Sequence, residues 1–182
     1  MPTMESVETG NVQIRPFTMA DMPAVVELRL HARKTEPHAF PRSFEEEARK
    51  TREQWTQRFE KTLGSGATHI LELASVGNRI VGMVGAREIE EGIWDLHGVY
   101  VHPDFRGQHI ASRLVRTVVE KIKARPSARL IRFQALVEQT TAVEMYKSLG
   151  FQMVDTTKRR TGDGVERDAY VFEMDLSREG SA

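Results

Sequence analysis

The chain predicts an α/β (α+β) fold: one mixed, mostly antiparallel sheet of about six to seven strands, with helices flanking it. Three observations carry this. Residues 69–101 hold three runs rich in β-branched and apolar residues, separated only by Val76-Gly77-Asn78 and Glu91-Gly92. Turns that short join neighbouring antiparallel strands. Residues 96–137 then read strand, loop, amphipathic helix, strand, and a helix returning the chain to the same sheet makes a parallel crossover. Finally, residues 151–160 and 168–176 flank the polar turn Thr161-Gly162-Asp163-Gly164, the pattern of a closing antiparallel pair.

The elements follow in order. Residues 1–11 are polar and read as a flexible lead-in, and residues 177–182 as a flexible tail, leaving 12–176 as one domain. Residues 12–17 alternate apolar and polar, as a first strand does. Thr18 or Asp21 caps a helix whose face is Met22, Val25, Val26, Leu28 and Leu30, running to about residue 34. Two prolines make residues 35–42 a loop. Ser43 and Glu46 form an S-x-x-E capping box that starts a second helix, expected to run unbroken to Gly64. Its apolar positions are few: Phe44, Ala48, Trp55, Phe59 and Leu63. Strands are then expected at 69–75, 79–90, 93–101 and 130–137. Gly82 and Gly85 inside the third strand point to a bulge or to close approach by another backbone or a ligand. Thr141 and Glu144 offer a capping box for the last helix, with Val143, Met145, Tyr146 and Leu149 inward and Gly150 as its stop.

Composition narrows the function. The formal net charge is zero, so no general field attracts nucleic acid or an anionic membrane. No cysteine is present, which removes disulfides and thiolate nucleophiles and suits a reducing compartment. Six scattered histidines include no H-E-x-x-H pair, and no metal is expected. No stretch approaches the ~20 apolar residues of a membrane span, and the opening residues lack a signal pattern, so a cytoplasmic location is expected.

Residues 96–125 hold the chemistry. A buried-strand run ending at Val101 meets the loop HPDFRGQ. From His109 onward, apolar residues recur every three or four positions until Pro126 closes the helix. The first amides of such a helix lack intrahelical partners, and the dipole adds about half a positive charge there. Arg106 contributes a full charge in a geometry that suits phosphate. These residues form either a phosphate or pyrophosphate site or a plain strand-to-helix turn with a surface arginine.

The run V-x-P-x-x-R-G-x-x-I-A, from Val101 to Ala111, resembles the acetyl-CoA signature R/Q-x-x-G-x-G/A of the GNAT superfamily of N-acetyltransferases. Arg106 and Ala111 match, and His109 stands where the family usually has its first motif glycine. A helix N-terminus does not by itself require positive φ, so ordinary helical backbone is expected at His109. A second run, A-x-x-M-Y-x-x-L-G-F from Ala142 to Phe151, resembles the family's A-x-x-L-Y-x-x-x-G-F block.

The resemblance implies a cofactor site for acetyl-CoA, as co-substrate, at Arg106, Gly107, Gln108, His109, Ile110, Ala111 and Ser112. It implies a fourth and fifth strand splayed apart, with the pantetheine arm running beside Val99, Tyr100 and Val101. Gln139 stands where the family usually has a cofactor-contacting asparagine, and Tyr146 where it has a general acid to the leaving thiolate. Tyr146 equally reads as a core tyrosine with a satisfied hydroxyl.

In the family, the segment between the first two strands walls the acceptor site. That makes Phe40, Phe44, Trp55 and Phe59 candidates for it, the alternative being that Trp55 and Phe59 anchor their helix to the sheet. A base must take the amine's proton. Asp95 and His97 are candidates, expected by alternation to share one strand face with Val99 and Val101, and Glu88 is another; each equally reads as an ordinary surface polar group.

The expected activity is acetyl transfer to a primary amine of a small molecule or protein by direct attack in a ternary complex, the protein being a monomer or homodimer. The alternative is an acyl-CoA-binding or sensing domain with little turnover, to which His109 and Gln139 point. Neither G-x-G-x-x-G nor G-x-x-x-x-G-K-S/T occurs, which argues against an unrelated nucleotide-binding fold.

Overall fold

The computed structural model describes residues 11–177. Seven strands, β1 (Val12–Pro16), β2 (His69–Val76), β3 (Arg79–Glu90), β4 (Ile93–Val101), β5 (Leu130–Leu136), β6 (Gln152–Arg160) and β7 (Glu166–Asp175), form one sheet in the order β1-β2-β3-β4-β5-β7-β6. All neighbours are antiparallel except the crossover pair β4 and β5, which is parallel. The helices are α1 (Met22–Thr35), α2 (Phe44–Ala48), α3 (Arg52–Gly64), α4 (Ile110–Lys123) and α5 (Thr140–Ser148). The lead-in and tail expected at 1–11 and 177–182 lie outside the described residues, apart from Asn11 and Ser177. No helix among the described residues is long and apolar enough to cross a membrane.

Two apolar layers hold the sheet. On one face α4 buries Ile110, Leu114, Val115, Val118, Val119 and Ile122 against Trp94, Leu96, Ile131 and Phe133, joined by Tyr146 of α5. Burial of each such aliphatic side chain stabilises by roughly 1.5–3 kcal/mol. Gly82 permits this approach, since a Cβ there would lie 3.1 Å from Leu114 Cδ1. On the other face α1 and α3 bring Val25, Leu28, Trp55 and Phe59 onto Leu73, Met83 and Tyr100.

Three local expectations change. The helix expected from Ser43 to Gly64 is two helices. The Ser43–Glu46 box starts α2, and a second reciprocal box, Thr51 with Gln54, starts α3. Glu47, inside α2, is buried. The box expected at Thr141 and Glu144 does not form: the N-cap of α5 is Gln139, without a side-chain cap. At the start of α1, Thr18 and Asp21 act together rather than as alternatives. The Asp21 carboxylate accepts from the Thr18 amide at 2.9 Å and pairs with Arg15 at 2.6 Å, and chiefly that arginine holds it well below the usual carboxylate range.

Candidate active site

The site begins where two strands part. β4 and β5 pair at Ile93–Leu130, Trp94–Ile131 and Asp95–Arg132, after which β5 keeps only β7 and β4 keeps only β3. The opening is a cleft of about 1450 Å³. It is lined on one side by α4 and α5 residues and on the other by α1 and the loop that follows it, so it connects the two faces of the sheet. β4 residues 96–101 present backbone groups along this edge with no strand opposite them.

A bulge re-aims β4. Met83 pairs with Tyr100 but Gly85 pairs with His97, which leaves Gly98 and Val99 opposite Val84 alone. Gly98 takes φ +65°, a conformation that only glycine adopts cheaply. The side-chain alternation therefore flips. Asp95, His97, Val99 and Val101 do not share a face as expected. Val99 and Val101 join Trp94 and Leu96 on the α4 layer, while Tyr100 joins the α1 layer on the side of Asp95 and His97.

At one end of the cleft lie Gly107, His109, Ile110, Ala111 and Ser112; Gln108 does not line it. The first amides of α4 have no acceptor within the helix, and its N-cap His109 provides no side-chain acceptor. Gly107 has φ +78° and His109 has φ +57°, ψ +21°. The helical backbone expected at His109 is thus corrected to left-handed, the conformation for which a glycine is suited, at a cost of about 1–2 kcal/mol for a residue with a Cβ. Arg106 is already engaged. Its Nε donates to the Val101 carbonyl at 3.0 Å, its guanidinium pairs with Glu36, and it lies 5.5 Å from the Tyr100 ring centroid. It clips the end of β4 to the segment after α1. Among the described residues lining this end, the unexpected cation without an ion pair is Arg116, one turn further along α4.

In the middle of the cleft are Tyr146, Arg159, Asp95 and His97. The Tyr146 ring is packed 4.4 Å from Phe133 and edge-on to Phe151, and burial pushes its hydroxyl pKa up. Arg159 reaches in from β6. Burial lowers its pKa, while Asp95 and Tyr146 act in the opposite direction, which places both within electrostatic reach. Nothing local in the sequence marks Arg159; only the pairing of β6 beyond β7 brings it here. His97 Nδ1 is 3.6 Å from the Asp95 carboxylate, and Arg87 Nε is 3.3 Å from it. The His97 ring lies over Gly85, where a Cβ would be 2.6 Å from Nε2. The glycine therefore sits at the edge of the bulge and is also closely approached by a side chain, that of His97.

The opposite wall comprises Arg29, Arg33, Phe40, Arg42 and Arg58. The β6–β7 turn fixes it: the Gly162 amide donates to the Phe40 carbonyl at 2.6 Å, and a Cβ on Gly162 would lie 2.6 Å from the Arg42 oxygen. Gln139 also lines the cleft. Of the residues expected at the acceptor end, Phe40 lines it, whereas Phe44, Trp55, Phe59 and Glu88 do not. Trp55 is buried beneath the wall, stacked with Phe59, so these two anchor α3. Glu88 instead accepts from the Gly92 amide at 2.7 Å and closes the β3–β4 turn. Phe44 is half-buried and outside the cleft.

Known proteins share this fold. A curated relative, an uncharacterized N-acetyltransferase of Methanocaldococcus jannaschii, is 33% identical over 78 residues, 43% of this chain. The match covers 32% of that protein, so the chain spans about a third of the length of the curated relative it matches. Among solved structures, an N-acetyltransferase from Staphylococcus aureus Mu50 superposes with TM-score 0.78 at 16% identity, covering 92% of this chain and 100% of that one. YncA from Salmonella typhimurium, determined with its cofactor acetyl-CoA, gives 0.76 at 15% identity over 93% of this chain and 96% of that one. Such identities speak for the fold alone. The family model for acetyltransferases of the GNAT family matches residues 27–151, more than half of the sequence, and the chain belongs to that family.

Proposed function

We propose that the protein transfers the acetyl group of acetyl-CoA to a primary amine of a small molecule or protein, by direct attack in a ternary complex in the cytoplasm. One observation carries this reading: the cleft opened by the parting of β4 and β5 joins unpartnered helix amides at one end to a buried tyrosine and a histidine–carboxylate pair in the middle.

The residues fit the co-substrate. The amides of Ile110, Ala111 and Ser112, with the dipole of α4 and Arg116 behind them, suit a pyrophosphate. The free edge of β4 at Val99 and Tyr100 suits an arm that hydrogen-bonds like an added strand. The Val101 carbonyl is less available, because Arg106 already donates to it. Bound there, acetyl-CoA supplies an acyl carbon activated as a thioester.

The chain's own groups do the rest. A β4 amide on the free edge polarises the thioester carbonyl. His97, with Nδ1 directed at Asp95, keeps Nε2 as the acceptor for the amine's proton, directly or through water. Tyr146 offers its hydroxyl to the departing sulfur. Burial keeps that hydroxyl protonated, and Arg159 nearby favours partial charge on its oxygen as the proton moves.

A second reading, a domain that holds the cofactor with little turnover, is favoured by the left-handed His109, whose Cβ and ring stand at the phosphate end. A thiol-release assay with acetyl-CoA against amines, amino acids, polyamines, aminoglycosides and peptides separates the two. Release with at least one acceptor is expected. Saturable CoA binding with no release across the panel removes the enzymatic reading.

A further inference from the structure

Four arginines converge on one wall of the cleft, and among the described residues one carboxylate faces them. Arg29 and Arg33 stand a turn apart on α1, Arg42 follows Phe40, and Arg58 comes from α3; all four line the cleft. Glu47 is wholly buried behind them. It lies 3.6 Å from Arg29, 3.6 Å from Arg42 and 3.4 Å from Arg58, and its shortest contact, 2.7 Å, is to Lys50. The neighbouring carboxylate, Glu36, is held by Arg106. The wall therefore carries surplus positive charge.

Part of that charge is desolvated and incompletely matched. Arg33 is 5% exposed, and the Nε atoms of Arg29 and Arg33 are buried without a hydrogen-bond partner. Aromatic faces compensate in part: the Arg33 guanidinium lies 4.8 Å from the Phe40 centroid, and those of Arg29 and Arg58 lie 5.8 and 5.5 Å from Trp55. Burial, with Arg33 and Arg58 alongside, lowers the Arg29 pKa to about 9 in spite of Glu47. Arg33 donates from Nη1 to the Arg29 carbonyl at 3.1 Å, which satisfies a donor but not the charge, and a buried guanidinium whose charge is only partly matched is unfavourable unless an anion joins it. Planar guanidinium forks suit an oxyanion.

We infer that the acceptor is a small amine that also carries an oxyanion, a carboxylate or a phosphonate, seated on Arg29, Arg33, Arg42 and Arg58 while its amine reaches Asp95 and His97 in the middle of the cleft. This rests on the transfer reading above and deepens it. The amine nitrogen bonds to the acetyl carbon, the bond from that carbon to sulfur breaks, and the amine's proton ends on the released thiol; the oxyanion only positions. Purely cationic acceptors such as polyamines meet repulsion on this wall.

Matched pairs test it. Thiol release from acetyl-CoA is measured with free amino acids against their carboxamides and decarboxylated amines, with aminoalkylphosphonates against alkylamines, and with spermidine. The carboxylate and phosphonate arms separate the two oxyanions. The anionic member is expected to exceed its partner at least tenfold in kcat/KM. Arg33→Gln is expected to remove most of that ratio through acceptor KM, with the KM for acetyl-CoA unchanged. Arg42→Gln, whose side chain is 57% exposed, acts in the same direction and holds the test if Arg33→Gln does not fold.

A readout independent of turnover is the tryptophan fluorescence of the CoA-loaded protein, since Trp55 lies beneath Arg29 and Arg58. A saturable response to amino acids but not to their amides, lost in Arg42→Gln, supports the anion site even without release; the transfer reading then fails alone. Equal rates within pairs, preference for spermidine, or no discrimination in either assay overturns the inference.

Discussion

The two ends of the cleft are built by opposite means. The α4 end presents mainly backbone: unpartnered amides and a helix dipole, set by Gly107 and a left-handed His109. The α1–α3 wall presents mainly side chains: four arginines around one buried glutamate. Backbone recognition needs spacing and a permitted φ, so it leaves a motif in the sequence. Side-chain recognition needs only that distant residues meet, so it leaves none.

Substitutions that act on one end alone sharpen this contrast. The largest effect is expected from Ala111→Glu, which puts a carboxylate among the first amides of α4. A negative charge suits a helix N-terminus, so the melting temperature holds. CoA affinity falls at least a thousandfold, about 4 kcal/mol, by calorimetric titration. Unchanged affinity would show that the phosphate end lies elsewhere.

Glu47→Gln acts on the other wall. Burial alone would raise the Glu47 carboxyl, but the Lys50 hydrogen bond and the charges of Arg29, Arg33 and Arg58 outweigh it and hold it at about 2. Removing that charge leaves the guanidinium groups unopposed. The expected loss is about 3 kcal/mol, read as a melting temperature about 10 °C lower, with CoA affinity retained.

The sign of the pH dependence follows from the same residue. Its folded pKa, about 2, lies below the ordinary value of 4.5, so the stabilisation is fully present above pH 4.5. It is lost as pH falls through the interval between these values. The gap between wild type and Glu47→Gln therefore closes as pH drops from 5 towards 2. A constant gap in thermal melts over that range would show that the carboxylate charge contributes nothing.

Tyr146→Phe tests the middle of the cleft. Turnover is expected to drop by about a hundredfold with CoA affinity nearly unchanged, because the hydroxyl acts on the leaving sulfur while the ring still packs on Phe133. Wild-type rates in steady-state assays would leave it a core tyrosine. The smallest effect is that of His109→Gly. Relief of the left-handed Cβ, less the entropy cost of glycine, should stabilise by roughly 0.5–1 kcal/mol and tighten CoA binding. A lower melting temperature would mean that the imidazole makes a contact worth more than the strain.

Most of the fold was legible from residue spacing. The turns at Gly77 and Gly92 and the period of α4 act over a few neighbouring residues and set the strand order up to β5, and the glycine after α5 sets where that helix stops. The break between α2 and α3 was also written locally, in Thr51 and Gln54, but was masked by the continuing charged pattern around it. The flip at Gly98 was not legible, because a bulge depends on how Val84 of the neighbouring strand is opposed.

For the site, the sequence by itself determined the α4 turn, the position of Tyr146 on an inward helix face, and the resemblance that both runs carry. These depend on contacts a few residues apart, where chain geometry leaves little freedom. Only the tertiary structure decided that Arg106 pairs with Glu36, that Arg159 reaches Asp95 and Tyr146, that Glu88 and Trp55 stand outside the cleft, and that Arg29, Arg42, Arg58 and Lys50 share Glu47. Charge interactions act through space between elements far apart in the chain, so their partners are fixed by how helices seat on the sheet and not by any spacing along the sequence.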